Sequence, residues 1–219
     1  MAARVKRRTA ILISGRGSNM AALIAAARAP DYPAEIALVL SNRAGAGGLA
    51  LAEAAGIATA TVESRRFPGD RAAFEAAVQA ELDRHAIDLV ALAGFMRILT
   101  PGFVAAWEGR MVNIHPSLLP AFPGLDTHAR ALAAGVRLHG CTVHLVSPGV
   151  DEGPILAQAA VPVLAADTEA SLAARVLAQE HRIYPAALAW LAAGQGCPPE
   201  AEGALANPLP DALPLPKTR

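Results

Sequence analysis

The sequence predicts an α/β fold, and three observations lead to this prediction. Short β-branched or leucine-rich runs alternate with alanine-rich stretches of about ten residues or more, which is the pattern of βαβ units and a parallel sheet. Hydrophobic residues make up 53% of the chain but aromatic residues only 4%, a composition typical of soluble α/β proteins. After residue 135 the alternation ends, and two β-rich runs follow each other. We therefore expect a Rossmann-like open, mostly parallel sheet flanked by helices, with an antiparallel edge excursion near residues 140–163.

The elements follow from this alternation. We predict strands at 9–13, 36–40, 57–61, 87–92 and 111–114, and helices near 19–28, 45–55, 70–84 and 101–107. Residues 140–146 and 155–163 are the two β-rich runs, joined by a loop rich in glycine and proline. A long helix from about 168 to 189 is expected next, with Asp167 or Thr168 as its N-cap.

Composition and charge argue against several classes of function. Nineteen basic residues balance nineteen acidic ones, so no overall field attracts nucleic acid or an anionic membrane. The longest apolar candidate for a membrane span, residues 183–193, is too short and contains Pro185. No signal peptide is recognisable, and Cys141 and Cys197 have no metal-ligand spacing. We predict a cytoplasmic protein with one domain, residues 1–193, followed by a proline-rich tail, residues 194–219.

The loop after the first predicted strand has features of a phosphate site. Its sequence is Ser14-Gly15-Arg16-Gly17-Ser18-Asn19, and it opens the first helix. Two glycines let the backbone approach a ligand, and the first N–H groups of a helix attract anions. The loop lacks the ending of a P-loop and the third glycine of a dinucleotide fingerprint, so a monophosphate fits it better. A tight βα turn with a Ser or Asn cap is the alternative.

Asn113 and His115 lie two residues apart at the end of the fifth predicted strand. Residues i and i+2 of an extended chain point to the same side, so one cleft receives an amide and an imidazole. This pair suits a reaction in which negative charge develops on a carbonyl oxygen. An ordinary strand end with a satisfied histidine is the alternative for this motif alone.

Two further loops are expected near the same end of the sheet, because ligands of open parallel sheets lie beyond the carboxyl ends of the strands. In residues 93–99, Gly94 permits close approach, and Met96, Ile98 and Leu99 offer a flat apolar slot for a planar heterocycle. Core filling is the alternative there. In residues 147–154, Asp151 is either a turn residue or a carboxylate that favours the imidazolium form of His115.

Other catalytic chemistries find less support in the sequence. A hydrolytic triad would need a Gly-x-Ser-x-Gly elbow, which the chain lacks, and Ser117 follows a proline without an obvious base. His115, His128, His139 and His144 show no HExxH or similar clustering, so we predict no metal.

With these residues in view, the chain resembles the phosphoribosylglycinamide formyltransferase family of folate-dependent enzymes. The resemblance runs from about residue 10 to 188. It is carried by the first loop, by residues 92–99, by Asn113-Ile114-His115-Pro116-Ser117-Leu118-Leu119-Pro120, by residues 123–128 and by Asp151-Glu152-Gly153-Pro154-Ile155.

The resemblance implies that the co-substrate 10-formyltetrahydrofolate donates its formyl group to the amine of glycinamide ribonucleotide, without a metal. It implies a protonated His115 that stabilises a tetrahedral intermediate together with Asn113, and a water near Asp151 that relays a proton. Asn113, His115 and Asp151 match the family's catalytic residues, and Gly17, Ser18, Asn19 and Glu180 match its ribonucleotide site. The positions matching folate contacts are Arg71, Met96, Arg97, Ile98, Leu99, Asn113, Ser147, Pro148, Gly149, Val150 and Asp151.

Some features depart from the family pattern, and other readings stay open. Leu177 stands where a polar or basic residue is common, Met20 is a mild apolar change, and residues 147–150 are less acidic than expected. The rivals are a methionyl-tRNA formyltransferase, a formyltetrahydrofolate hydrolase and a non-catalytic module. Chain length, neutral charge and the phosphate loop argue against the first two. We expect small-molecule substrates, and either a monomer or a homodimer.

Overall fold

The computed structural model describes residues 5–194, which form a seven-stranded mixed sheet flanked by helices. Along the chain the elements are β1 (Arg7–Ile13), α1 (Ser18–Ala27), β2 (Ala34–Ser41), α2 (Gly47–Ala54), β3 (Thr59–Thr61), a 3₁₀ turn (Ser64–Arg66), α3 (Arg71–Arg84), β4 (Leu89–Leu92), α4 (Pro101–Ala106), β5 (Met111–His115), α5 (Thr127–Ala133), β6 (Leu138–Leu145), β7 (Ile155–Pro162) and α6 (Glu169–Ala192).

The strand order is β3-β2-β1-β4-β5-β6-β7, with β1 to β5 parallel. The chain builds outward from β1 in one direction and then returns to build outward from β4 in the other. Such a reversal opens a crevice at the carboxyl ends of the two central strands. The predicted α/β class and mostly parallel sheet are confirmed.

The central strands are apolar on both faces because helices cover both. Along β1, Ala10 and Leu12 pack with Phe74 of α3, whereas Ile11 and Ile13 pack with Leu172 of α6. All six residues are buried. This alternation is the period-2 geometry of a strand, and covered parallel strands are expected to be apolar throughout.

The antiparallel edge is also confirmed. β6 pairs antiparallel with β5, and β7 pairs antiparallel with β6. The register places Asn113 opposite His144 and His115 opposite Thr142. The excursion thus lays the β6 side chains directly beside the Asn-x-His motif.

Most helices and strands begin or end within a few residues of the predicted positions. The sequence analysis missed the 3₁₀ turn and α5, which have three and seven residues. Elements this short contain too few turns for an apolar period to show. The N-cap of α5, Asp126, is a residue type that favours this position, but it has a left-handed backbone and makes no side-chain cap bond.

Helix α6 is longer than predicted and continues through Pro185. Its N-cap is Thr168, one of the two predicted residues, in a capping box with Ser171. Next to the proline, the buried Tyr184 hydroxyl lies 2.9 Å from the Leu92 carbonyl oxygen and 3.3 Å from that of Val112. These contacts hold α6 against the ends of β4 and β5, where the site residues begin.

No helix within residues 5–194 is long and apolar enough to cross a membrane. The predicted proline-rich tail, with Cys197, lies outside the described residues apart from Gly194. The domain boundary at residue 193 stays a prediction.

Candidate active site

The loops that follow β1, β4 and β5 lie at the carboxyl ends of three adjacent strands, the end of the sheet where the sequence analysis expected them. The loop after β1 carries Gly17, Ser18 and Asn19, the loop after β4 carries residues 93–99, and β5 ends on Asn113 and His115. Asp151 reaches this place from the loop between β6 and β7. The fold therefore brings together residues spread over more than a hundred positions of sequence.

The first loop is compact because glycines allow two backbone segments to touch. Gly17 has a φ of 78°, and a Cβ atom there would lie 3.0 Å from the Gly48 Cα. A Cβ on Gly48 would lie 2.5 Å from Ile13 Cδ1 and 3.3 Å from the Gly15 carbonyl oxygen. The Gly48 N–H donates to that same carbonyl at 3.1 Å. The first turn of α2 thus supports the loop that opens α1.

Asn19 and Glu180 are in direct contact, although 161 positions separate them in sequence. The Asn19 amide donates from Nδ2 to Glu180 Oε2 at 2.6 Å. Burial raises the pKa of the Glu180 carboxyl, and the Asn19 bond and the nearby His181 oppose this rise. Ser18 is exposed beside them, and Leu177 is half-buried one turn earlier on α6. The predicted ribonucleotide residues therefore form one patch of amide, carboxylate, hydroxyl and backbone N–H groups.

The loop after β4 exposes apolar side chains at its centre and is fixed at both ends. Met96 and Ile98 are 60% and 62% exposed, which is unusual for such side chains and leaves their surface available to a ligand. Arg97 lies over the Phe74 ring, with its guanidinium carbon 5.9 Å from the ring centroid. At the far end, the buried Glu75 carboxylate accepts hydrogen bonds from the backbone N–H and the hydroxyl of Thr100.

The remaining predicted folate positions lie around this loop and the loop between β6 and β7. Leu99 is half-buried, and Arg71 is exposed at the first residue of α3. Ser147 and Gly149 are partly buried, whereas Pro148 and Val150 are exposed. A cavity of about 310 Å³ beside Asp151 has an apolar and acidic lining: Leu119, Pro120, Pro123, Val150, Asp151, Glu152, Gly153 and Ile155.

His115 is buried and both ring nitrogens face acceptors. Nδ1 lies 3.3 Å from Asp151 Oδ2, and Nε2 lies 3.0 Å from the backbone oxygen of Phe122. An imidazolium has an N–H on each nitrogen and so satisfies both contacts at once. The Asp151 carboxylate is the charged group that contacts the ring.

Asp151 is held in place by its own loop and by the loop before α5. Its backbone is left-handed, with a φ of 57°, which is uncommon outside glycine but tolerated by Asp. Its Oδ2 accepts a hydrogen bond from the Gly124 N–H at 2.9 Å. Its Oδ1 lies 3.9 Å from His144 Nε2. The carboxylate thus joins three segments of the site.

His144 is a residue of the candidate site that the sequence analysis did not assign to it. Its Nδ1 is 2.9 Å from the Leu145 carbonyl oxygen, and its Nε2 is 3.1 Å from Asn113 Nδ2. A carbonyl accepts only, so Nδ1 carries the proton and Nε2 accepts from the Asn113 amide. Burial lowers the pKa of His144, in keeping with this neutral tautomer. The signal that could have found it is register: in an antiparallel edge, β6 residues lie opposite the Asn-x-His motif.

Comparison with known proteins places these features in a family. The family model described as formyl transferase matches residues 7–188. Phosphoribosylglycinamide formyltransferase of Escherichia coli (strain K12) is 48% identical over 185 residues, which cover 84% of this chain and 87% of that protein. The chain belongs to the formyl transferase family.

More specific relatives carry the name that the motifs suggested. A solved phosphoribosylglycinamide formyltransferase from Brucella melitensis is 60% identical, with a TM-score of 0.82 over 87% of this chain and 98% of that one. The human trifunctional purine biosynthetic protein adenosine-3 is 50% identical over 189 residues, but these make up only 19% of its length. The predicted resemblance to phosphoribosylglycinamide formyltransferase is confirmed, as is the enzyme class at the level of the family, a folate-dependent formyltransferase.

Proposed function

We propose that the protein transfers the formyl group of 10-formyltetrahydrofolate to the amine of glycinamide ribonucleotide, a step of purine synthesis. The observation that carries this proposal is the meeting of two half-sites at one crevice. One half is Asn113, His115 and Asp151, which suit acyl transfer. The other is the Gly17–Glu180 side with its anion-binding loop, which suits a phosphorylated ribose. The names of the relatives point to the same acceptor and the same transferred group.

The proposed reaction is a direct transfer between two nitrogens. The ribonucleotide amine attacks the formyl carbon, a C–N bond forms, and the carbonyl electron pair moves onto oxygen. When this tetrahedral intermediate collapses, the bond from carbon to the folate N10 breaks. One proton leaves the attacking amine and one is gained by N10, so the overall reaction needs no oxidant and no further reactant.

Asn113 and His115 are placed to stabilise the negative oxygen of that intermediate. One N–H of the Asn113 amide is committed to His144, which fixes the amide plane and leaves the second N–H as a donor. His115 as an imidazolium adds positive charge at a buried position, where the effective dielectric is low. Removing one such donor costs roughly a hundredfold to a thousandfold in turnover in comparable sites.

Asp151 has two roles in the proposal. Its carboxylate stabilises the imidazolium, and it is the nearby group able to hold a water that carries the proton from the attacking amine toward N10. A second proton-transfer group is not needed, since the proton lost at one nitrogen is the proton gained at the other.

The surrounding residues bind and orient the two substrates. We propose that Gly17, Ser18, Asn19 and Glu180 hold the phosphate and ribose, and that the exposed Met96–Ile98 surface receives the flat folate ring. Arg71, Arg97, Leu99 and residues 147–150 complete the folate side. We also propose that residues 1–193 act as the formyltransferase domain, in the cytoplasm, as a monomer or homodimer and without a resident metal ion.

The test is a turnover assay with three acceptor conditions. Purified protein and 10-formyltetrahydrofolate are incubated with glycinamide ribonucleotide, with methionyl-tRNA, or without any acceptor in a buffer that contains no amine. The products are identified by mass spectrometry. We expect formylated ribonucleotide in the first condition and only background release of tetrahydrofolate in the others. Equal release without acceptor would establish the hydrolase instead, and formylated tRNA would establish the tRNA enzyme.

A further inference from the structure

Ser14 belongs to the first-loop motif but has no role in the function proposed above. It is 5% exposed and follows directly on β1. Its hydroxyl donates to Asn42 Oδ1 at 2.6 Å and accepts from the Met96 N–H at 2.7 Å. Its own backbone N–H donates to the Gly94 carbonyl oxygen at 3.1 Å. One buried side chain thus joins the loop after β1 to the loops after β2 and β4.

The hydrogen bond from Met96 to Ser14 continues the contact between the two chain segments beyond the point where the backbone hydrogen bonds between β1 and β4 end. Between β1 and β4, the Ala93 N–H still donates to the Leu12 carbonyl at 2.9 Å, as in the regular parallel ladder. Gly94 then turns the chain away with a φ of 75°. Beyond this turn, the Met96 N–H meets a side-chain hydroxyl instead of a backbone carbonyl. The two loops therefore stay connected across the crevice after the strands have ended.

Asn42 gives the Ser14 hydroxyl a fixed direction. Asn42 is 4% exposed, its N–H lies 3.4 Å from the Ile13 carbonyl oxygen, and its Nδ2 donates to Ser64 Oγ at 3.3 Å. Its Oδ1 is then the acceptor that receives the Ser14 hydrogen, while the serine lone pairs remain for Met96. The chain from Ser64 through Asn42 and Ser14 to Met96 has a single consistent order of donors and acceptors.

We propose that Ser14 is a positioning residue that sets the distance and orientation between the ribonucleotide loop and the folate loop. This inference rests on the proposed function, because it needs Gly17–Asn19 and Met96–Leu99 to bind the two different substrates. Transfer requires the amine and the formyl carbon to be held about 3–3.5 Å apart, and a misplacement of about 1 Å costs on the order of a hundredfold in rate. A hydroxyl that belongs to the first loop and is hydrogen-bonded to the folate loop at Met96 fixes that geometry without touching either substrate.

Ser14→Ala is the direct test, because it removes one oxygen atom and leaves the Met96 N–H and Asn42 Oδ1 without their partner. We expect the single-turnover rate, with both substrates saturating, to fall between about tenfold and a hundredfold. The Kd of each substrate measured alone should change by less than about threefold, because neither binding loop loses a ligand-contacting group. The pH profile should keep its shape, since the titrating groups of the site remain.

Ser41→Ala is a matched control. Ser41 is also a buried serine at the end of a neighbouring strand, but its hydroxyl donates to the Arg43 carbonyl and accepts from the Arg43 N–H, within its own loop. It should lower the free energy of unfolding by an amount similar to Ser14→Ala and leave the saturated rate near that of the wild type. Equal rates for the two variants, or a Ser14→Ala rate within about twofold of the wild type, would overturn the proposal.

Asn42→Ala gives a second route if Ser14→Ala does not fold. It leaves the serine in place but frees its hydroxyl to rotate, so a smaller fall in the saturated rate is expected, with the same retained affinities. A wild-type saturated rate from a folded Asn42→Ala would overturn positioning by this chain of bonds. Failure of the wild type itself to form formylated ribonucleotide would instead count against the proposed function.

Discussion

Asp151 is the residue on which the electrostatics of the site depend. Its carboxylate contacts His115 and the Gly124 N–H, and it lies 3.9 Å from His144 Nε2. Asp151→Asn keeps the shape and removes the charge. We expect turnover to fall by a factor of about a hundred to ten thousand, the range attributed to positioned acid–base groups. Binding of tetrahydrofolate, measured by calorimetry, should change little.

Glu152→Gln is the control for Asp151→Asn. Glu152 is the next residue of the same loop, it is exposed, and it also loses one negative charge in the variant. Turnover of Glu152→Gln should stay within about threefold of the wild type. Asp151→Asn retaining most of its turnover would show that the carboxylate has no part in the reaction.

His144 is expected to act through Asn113. His144→Phe keeps a ring of similar size but removes the acceptor that fixes the Asn113 amide. We predict a fall in kcat of about tenfold or more, and a coupling of roughly 0.5–3 kcal/mol in a double-mutant cycle with Asn113→Ala, since the two residues share one bond. Strictly additive effects in the steady-state kinetics would mean that His144 does not orient the amide.

At the scale of single residues, the sequence analysis found the residues proposed to touch substrates more readily than the residues that hold them in place. Asn113 and His115 end a strand and Asp151 lies in a loop, positions from which binding and catalytic residues often come. His144 and Ser14 are buried polar residues whose partners lie 31 and 82 positions away. Such partners depend on register and strand order, and neither can be read from local pattern.

At the scale of secondary-structure elements, the contact between the first loop and α2 can be tested with two neighbouring glycine variants. A Cβ on Gly48 meets Ile13 and the backbone of Gly15 and Gly17, whereas one on the adjacent Gly47 meets nothing within 4 Å. Overpacking of this kind costs about 1–3 kcal/mol or moves the backbone. We predict that Gly48→Ala raises the KM for glycinamide ribonucleotide several-fold more than the KM for the folate.

Gly47→Ala serves as its control. It changes the same residue type one position earlier in the same helical turn, so any effect of helix propensity is nearly shared. Both KM values should match the wild type in steady-state assays. If Gly48→Ala also left the ribonucleotide KM unchanged, the first loop would not be the part of the protein that binds the ribonucleotide.

The strands and the long helices were predictable, whereas α5 and the 3₁₀ turn were not. Helices α1, α3 and α6 each contain enough residues for a period to show, and their predicted bounds are close to those observed. Helix α5 follows a loop whose Phe122 and Asp126 have left-handed backbones. That loop places the Phe122 carbonyl against His115, a contact set by tertiary packing and not by any local preference.

At the scale of the whole molecule, the reversal of strand order brings the two proposed substrate loops to one crevice. The half built outward from β1 supplies the loop proposed for the ribonucleotide, and the half built outward from β4 supplies the loop proposed for the folate and Asn113. The sequence indicated which strand ends carry the loops of the candidate site. The pairing of β1 with β4, which places those loops side by side, became visible only in the structure.

Three histidines on α5 and β6 make the folding stability depend on pH. Burial, and the neighbouring His128 and His115, lower the pKa of His139 from 6.5 to about 4, against a smaller effect of the Pro116 backbone. Burial also lowers the pKa of His128 and of His144. Between about pH 6.5 and 4 the unfolded chain binds a proton at His139 that the folded protein does not, so stability is present above this window and is lost as the pH falls through it. The lowered pKa values of His128 and His144 act in the same direction.

Urea unfolding between about pH 7 and pH 4.5 measures this loss. We expect the free energy of unfolding to fall with decreasing pH by at most about 1.4 kcal/mol per pH unit for each such histidine. Glu180 has the opposite sign, because burial raises its pKa and the folded protein then holds its proton more tightly. His139→Gln isolates the histidine contribution: its stability curve should be flatter than that of the wild type across the window. A parallel curve would show that His139 titrates alike in the folded and unfolded chains.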